Sequence, residues 1–391
     1  MIDLKNTEIA FISKSDRDML KAKLLYKIMA SPFITKVAKN LTQLALSIKF
    51  PVNWIVKPTI YNHFVGGETI DECIPAVKLI GKYGVKSILD YSVEGKESPE
   101  EIEKVMEETL KSIENAGKFE NIPFAVFKPT AFTSSHILTK ASTGEELTDE
   151  EKKEARNFKT RVRKLCQKAY DAGVPILIDA EDSWYQNFID ETVEEMMQIF
   201  NKEKAVVFNT WQMYRKDRLE HLKESYKKAV DGKYFLGAKF VRGAYMEKER
   251  ERAEKMGYES PIHETKEDTD KSYNDALKFS FEHREIISIF NGTHNEESTL
   301  LLVELMNKNN IDKKDNRFWF SQLYGMSDHI SFNLGAAGYN VAKYLPYGPV
   351  KHVLPYLFRR AEENTSVKGQ TSRELMLISQ EIKRRKQVKN K

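Results

Sequence analysis

Residues 343–364, KYLPYGPVKHVLPYLFRRAEEN, carry a short β-rich run into a helix. That run, Tyr339–Gly348, is the last of eight. The others are Lys86–Ser92, Phe124–Pro129, Pro175–Glu181, Ala205–Met213, Phe235–Tyr245, Ile286–His294 and Phe318–Met326. Charged helical stretches separate them, among them Pro99–Ala116, Asp149–Ala172, Phe188–Asn201 and Glu296–Asn309. Ser98-Pro-Glu-Glu opens the first with a capping serine, a proline at the first position and acids against the helix dipole. Strand–helix alternation calls for a parallel sheet with helical crossovers. Eight repeats predict an α/β fold of the (β/α)8 TIM-barrel type, ahead of an open doubly wound sheet. No G-x-G-x-x-G follows a strand, and Gly335-Ala-Ala-Gly338 is too short and precedes one, so a Rossmann dinucleotide site is not expected.

Residues 1–60 read as a helical segment, with apolar faces at Asp16–Ala30 and Leu41–Ile48. The barrel is expected over 61–385. The basic run Lys383–Lys391 ends in a tail, 386–391, expected to fray. The 391 residues suit a barrel with extra helices, and 41% hydrophobic content supports a core. With 62 basic and 58 acidic residues the net charge is +4, which argues against a nucleic-acid binder. Cys73 and Cys166 have no metal or redox spacing, which fits a reducing compartment. No run of apolar residues is long enough to span a bilayer. Asp3, Glu8 and Asp16 interrupt any leader-like start. A cytoplasmic location is expected, with peripheral contact with the inner membrane as a further option.

In a barrel, chemistry sits where strands end. Alternation puts Phe124, Val126 and Lys128 on one face, Leu177, Asp179 and Glu181 on another, and Phe208, Thr210 and Gln212 on a third. Lys239, Val241, Gly243 and Tyr245 share a fourth. The sixth run ends in Thr293-His294-Asn295, the seventh holds Leu323, and the eighth holds Tyr344. Buried lysines and aspartates are rare unless paired. Each alone reads more readily as a structural pair; several on one rim point to a site. Arg359 and Arg360 lie four and three residues before Glu363, so either can meet it on a helix surface. Two guanidinium forks oriented by a carboxylate suit capture of a small carboxylate ligand. The plainer reading of that triplet is a solvated ion pair. Asp179 and Glu181 lack nearby histidines, and no metal is expected.

Eight motifs in order carry a family resemblance: FAVFKPTA (124–131), ILIDAED (176–182), NTWQMY (209–214), AKFVRGAYMEKER (238–250), THNEE (293–297), QLYGM (322–326), YLPYGPV (344–350) and YLFRRAEEN (356–364). The chain resembles the proline dehydrogenase family from about Phe64 to about Ser366, and most of all its eukaryotic-like, monofunctional branch. The resemblance implies a distorted (β/α)8 barrel with non-covalent FAD, oxidising L-proline to 1-pyrroline-5-carboxylate. It implies that Arg359, Arg360 and Lys128 grip the substrate carboxylate, that Glu363 orients an arginine, and that Asp179 anchors a polar network. Tyr245, Leu323 and Tyr344 would wall the ring. Gln212 would meet the flavin's pyrimidine edge and Lys239 its N5–N1 side. Val241, Gly243, Thr293, His294 and Asn295 would line the cofactor, with Thr265 and Lys266 towards its ribose or phosphates. Many bacterial members carry arginine where Lys239 stands; lysine keeps the charge but not the bidentate fork.

The same resemblance implies a membrane quinone as electron acceptor, for which Leu46–Val56 is a candidate docking surface and, more readily, buried core. A phenol at Tyr344 would crowd a 4-hydroxyl, so proline is expected over hydroxyproline. The alternatives are a hydroxyproline dehydrogenase, a barrel lyase or aldolase using Lys128 or Lys239 as a Schiff-base amine, or a scaffold using the basic tail.

Overall fold

Strands form at all eight β-rich runs: β1 (Lys86–Tyr91), β2 (Ala125–Phe127), β3 (Ile176–Ile178), β4 (Val207–Gln212), β5 (Leu236–Val241), β6 (Ile287–Gly292), β7 (Phe318–Leu323) and β8 (Val341–Tyr347). They make one sheet in the order β1-β8-β7-β6-β5-β4-β3-β2, so chain neighbours β1 and β2 stand at its two edges. This is an α/β fold, a nearly closed parallel eight-stranded barrel preceded by helices. The computed structural model describes residues 2–31, 33, 37, 40, 53–93, 98–366 and 370–390, with the side chains of all these except 55, 362–366, 370 and 371. The apolar face expected at Leu41–Ile48, and residues 46–52 of the docking candidate, lie outside the described residues. Two units are distinguished: residues 1–86 with 322–391, and residues 87–321.

Within residues 87–321, β2 to β7 pair in parallel register, for example Val126 with Leu177, Thr210 with Lys239, and Lys239 with Phe290. The inward rows begin on aromatic side chains. Phe124 meets Phe208, Phe290 and Trp319 edge-on at centroid distances of 5.7, 5.1 and 5.1 Å. β2 and β3 stop after three residues each. At β2 the reason is Pro129, which lacks an N–H and opens a 3-10 turn. Helices Pro99–Lys118, Asp149–Asp171 and Glu296–Lys308 lie where their caps and apolar periods placed them. The helix expected from Phe188 instead starts at Ser183. Its first turn is satisfied from outside: Glu249 accepts the Ser183 N–H at 2.7 Å and its hydroxyl at 2.5 Å.

In the other unit, Ser15 and Asp18 form a capping box for helix Asp16–Met29. Met19, Ala22 and Tyr26 from this helix pack with Ala10, Phe11, Leu377 and Ile378. Tyr26 donates its hydroxyl to the Gly325 carbonyl at 2.8 Å. The basic run expected to fray is helical through Lys389, in helix Gln370–Lys389. Three of its cations have partners: Arg385 and Lys389 both reach Asp16, and Arg384 and Arg385 both bind Glu381. A second buried network lies in this unit. Asp328 takes Lys343 at 2.9 Å and Lys14 at 3.3 Å. Burial alone would raise the Asp328 carboxyl, but the two ammoniums hold it well below the usual range. Among the described residues, no helix is long and apolar enough to cross a membrane.

Candidate active site

Parallel strands present all their C-terminal ends on one side, and in residues 87–321 those ends are polar. Lys128 follows β2 and Asp179 follows β3, each two residues beyond an inward apolar side chain. Asp90 lies in β1 and Lys239 in β5. The four side chains form an alternating ladder. Lys128 Nζ donates to both Asp90 carboxylate oxygens, at 3.0 and 2.8 Å, and lies 3.6 Å from Asp179 Oδ2. Lys239 Nζ meets Asp179 Oδ1 at 2.5 Å. With side-chain exposures of 6, 10, 15 and 6% for Asp90, Lys128, Asp179 and Lys239, this is a largely buried quartet of zero formal net charge, Asp90 and Lys239 buried and Lys128 and Asp179 partly so. Burial lowers the Lys239 ammonium from its ordinary pKa, against the pull of Asp179.

Sequence reasoning brought Lys128, Asp179 and Lys239 to one rim and missed Asp90. Asp90 closes the ladder and accepts a further hydrogen bond from the Ser92 hydroxyl at 3.1 Å. The only trace in sequence was an acid near the end of a β-rich run.

Glu181 braces the neighbouring loops. Its carboxylate accepts Thr130 N–H at 2.9 Å and the Thr130 hydroxyl at 2.6 Å. Gln212, the last residue of β4, donates Nε2 to the Glu181 carbonyl at 2.9 Å. Its other amide atom, Oε1, is buried with no hydrogen-bond partner among the described residues. A buried acceptor of this kind awaits a donor.

At the end of β5, Val241 is half-buried and Gly243 has φ +129°. A Cβ on Gly243 would stand 2.4 Å from the Tyr214 ring, so only glycine fits there. Arg242, on the opposite face, uses each guanidinium nitrogen: Nε to Asp270 at 2.7 Å, Nη1 to the Thr293 hydroxyl at 2.7 Å and Nη2 to the Ser298 hydroxyl at 3.0 Å. It stacks 4.5 Å above the Tyr273 ring. Lys266 also binds Asp270. Five expected residues, Thr265, Lys266, Thr293, His294 and Asn295, lie on or beside this network. Thr293 is held by Arg242 and accepts the Asn295 N–H at 3.1 Å, and His294 between them is half-buried. Asn295 caps helix Glu296–Lys308, and Thr265 caps helix Lys266–Glu282. Arg242 and Asp270 went unnoticed in the sequence. Arg242 alternates away from the face read as functional; Asp270, four residues after Lys266, was detectable by helix spacing.

Tyr245 is half-buried, with the Lys248 ammonium 5.9 Å from its ring centre. Lys248 also binds Asp182 at 2.6 Å. The remaining expected residues belong to the other unit. Leu323 ends β7, and Tyr344 is buried in β8, its carbonyl accepting the Tyr324 N–H at 2.8 Å. Arg359 is half-buried and Arg360 buried on helix Val350–Ser366, the Arg360 guanidinium 4.9 Å above the Tyr356 ring. The Glu363 side chain lies outside those described.

The proline dehydrogenase family model matches residues 73–373. The carbapenem antibiotics biosynthesis protein CarD of Pectobacterium carotovorum subsp. carotovorum is 36% identical over 322 residues, 82% of this chain and 83% of that one. Mitochondrial proline dehydrogenase 1 of Dictyostelium discoideum is 33% identical over 430 residues, 98% of this chain and 75% of that one. Among solved structures, proline utilization A (PutA) of Bdellovibrio bacteriovorus, inactivated by N-propargylglycine, superposes with a TM-score of 0.72 at 22% identity. The match covers 92% of this chain and 38% of the PutA chain, and at that identity it bears on the fold alone. With the family model spanning most of its length and relatives matched over most of both chains, this chain belongs to the proline dehydrogenase family of oxidoreductases.

Proposed function

We propose that the chain is an FAD-dependent proline dehydrogenase that converts L-proline to 1-pyrroline-5-carboxylate and passes the electrons to quinone. The observation that carries this reading is the largely buried quartet of Asp90, Lys128, Asp179 and Lys239. Buried ion pairs contribute little net stability, because desolvation offsets their attraction. Keeping four such charges where barrel chemistry sits favours a catalytic reason for them. The donor set also suits a flavin. Gln212 offers an unused buried acceptor for an imide N–H, and Lys239 a buried cation for an electron-rich ring. Gln212, Lys239, Val241, Gly243, Thr293, His294 and Asn295 would hold the cofactor, as the family resemblance implies. Lys266 would act on it through Asp270 and Arg242, and Thr265 by capping helix Lys266–Glu282.

When bound, the flavin supplies a two-electron acceptor for hydride from proline C5. The protein's part is position and charge. The resemblance gives Arg359 and Arg360 the substrate carboxylate, with Lys128 as a third cation. Asp179 favours the charged form of Lys239 against its burial and holds it in place. A cationic surround favours loss of the proline ammonium proton to water, which frees the nitrogen lone pair to assist as C5 gives up hydride. Tyr245, Leu323 and Tyr344 would exclude water from the ring. Location in the cytoplasm with peripheral contact at the inner membrane completes the reading, since a quinone is a membrane solute.

The test is direct. FAD-loaded protein, kept anaerobic, should lose its flavin absorbance on addition of L-proline and yield pyrroline-5-carboxylate. Retention of the oxidised spectrum with excess proline would overturn the proposal. Borohydride trapping of a lysine adduct would do so in favour of an aldolase.

A further inference from the structure

Helix Asp16–Met29 has two apolar rows. Met19, Ala22, Tyr26 and Met29 are buried within its own unit. Leu20, Leu24 and Ile28 form a second row, 57, 61 and 41% exposed. Spaced by four, these three span an arc of about 80° opposite the buried row. Single exposed leucines are ordinary. Three in register on one helix make a continuous apolar strip, which on a soluble surface marks a contact.

The charges around the strip say what it contacts. Arg17 lies within the exposed arc, Lys21 borders one side, and Lys23 and Lys27 border the other; all but the half-buried Lys23 are exposed. The helix's two acids are engaged: Asp16 with Arg385 and Lys389, and Asp18 with Ser15. The strip is therefore apolar at its centre and cationic along both margins. A second copy of the same face would set these cations against each other. An anionic lipid surface accepts both features, apolar side chains at the acyl boundary and lysines extended to headgroups.

We propose that this face is a docking surface for anionic membrane, seated by Leu20, Leu24 and Ile28 and steered by Arg17, Lys21, Lys23 and Lys27. It gives the peripheral contact of the proposed function a place. It rests on this helix alone and stands whether or not the chain oxidises proline.

Co-sedimentation of the full chain with phosphatidylcholine vesicles, with and without phosphatidylglycerol, tests it. Binding should require phosphatidylglycerol and weaken with salt. Leu24→Asp with Ile28→Asp should reduce it by more than about tenfold. Lys21→Gln and Lys27→Gln should each reduce it roughly fivefold. Circular dichroism and the thermal midpoint of the variants should match wild type, because the replaced side chains are largely exposed. Equal binding to both vesicle types, no binding at all, or full binding by the double aspartate variant would overturn the proposal. So would a dimer that the double aspartate variant dissolves while vesicle binding persists.

Discussion

Asp179 stands between two ammoniums, 2.5 Å from Lys239 and 3.6 Å from Lys128. Asp179→Asn keeps the shape and removes the charge, leaving the Lys239 ammonium buried without its nearest counter-ion. Removing one partner of a buried pair costs about 3–5 kcal/mol. Two features reduce this here: Asp90 also supports the Lys239 charge, and the Asp179 side chain is 15% exposed. The expected loss is therefore about 2–3 kcal/mol. Lys239→Met leaves Asp179 near Lys128 and should cost about 1–2 kcal/mol. The double variant should cost less than the sum by about 1.5 kcal/mol. Urea denaturation of all four proteins measures this, as midpoints at constant slope. The pH dependence adds an independent check. Burial lowers the Lys239 pKa from 10.5, so in the window below that value the unfolded chain binds the proton more tightly. Stability contributed by this group thus rises with pH through the window, and Asp179→Asn should extend the rise to lower pH. Lys239→Met should abolish it. Strict additivity, with a single-variant cost below about 0.5 kcal/mol, would refute the claim that the ladder is an electrostatic unit.

Arg359→Met and Arg360→Met should each raise the proline KM with a smaller change in kcat; steady-state kinetics with a soluble acceptor check this, and unchanged constants in both would remove the carboxylate clamp. Gly243→Ala forces a side chain onto a φ of +129° and into the Tyr214 ring. A loss of about 3 kcal/mol is expected, and an unmoved thermal midpoint would contradict the close packing. Burial, then the Arg218 charge, lowers the His221 pKa to about 4. Between pH 6.5 and 4 the unfolded chain binds the proton first, so stability should fall as pH falls through that window. His221→Gln should flatten the fall, and an equal slope in wild type and variant would show that His221 does not cause it.

Which of these features the sequence discloses follows from how far apart the interacting residues lie. The strands were legible because period-two alternation is local, and the run around β2 shows it in three positions: Phe124 just before the strand in the aromatic layer, Val126 within it, and Lys128 just after it at the rim. The same local rule found Asp179 two residues after Leu177. It failed where a partner comes from another repeat. Asp90 and Lys128 are 38 residues apart, and Asp179 and Lys239 are 60 apart. Nothing between them marks which acid meets which lysine. The early start of the Ser183 helix has the same origin, since the acceptor that replaces a local cap is Glu249, 66 residues on. Arg242 was hidden differently. Alternation assigned it to the outer face, where a cation reads as solvated, yet a helix-layer aspartate and two hydroxyls bind all its nitrogens. A barrel repeat thus announces its own charges at its own strand end. Their pairing is settled only by the folded barrel, in which Asp179 after β3 meets Lys239 of β5 with β4 lying between those strands, and the strength of that pair is what the Asp179–Lys239 cycle measures.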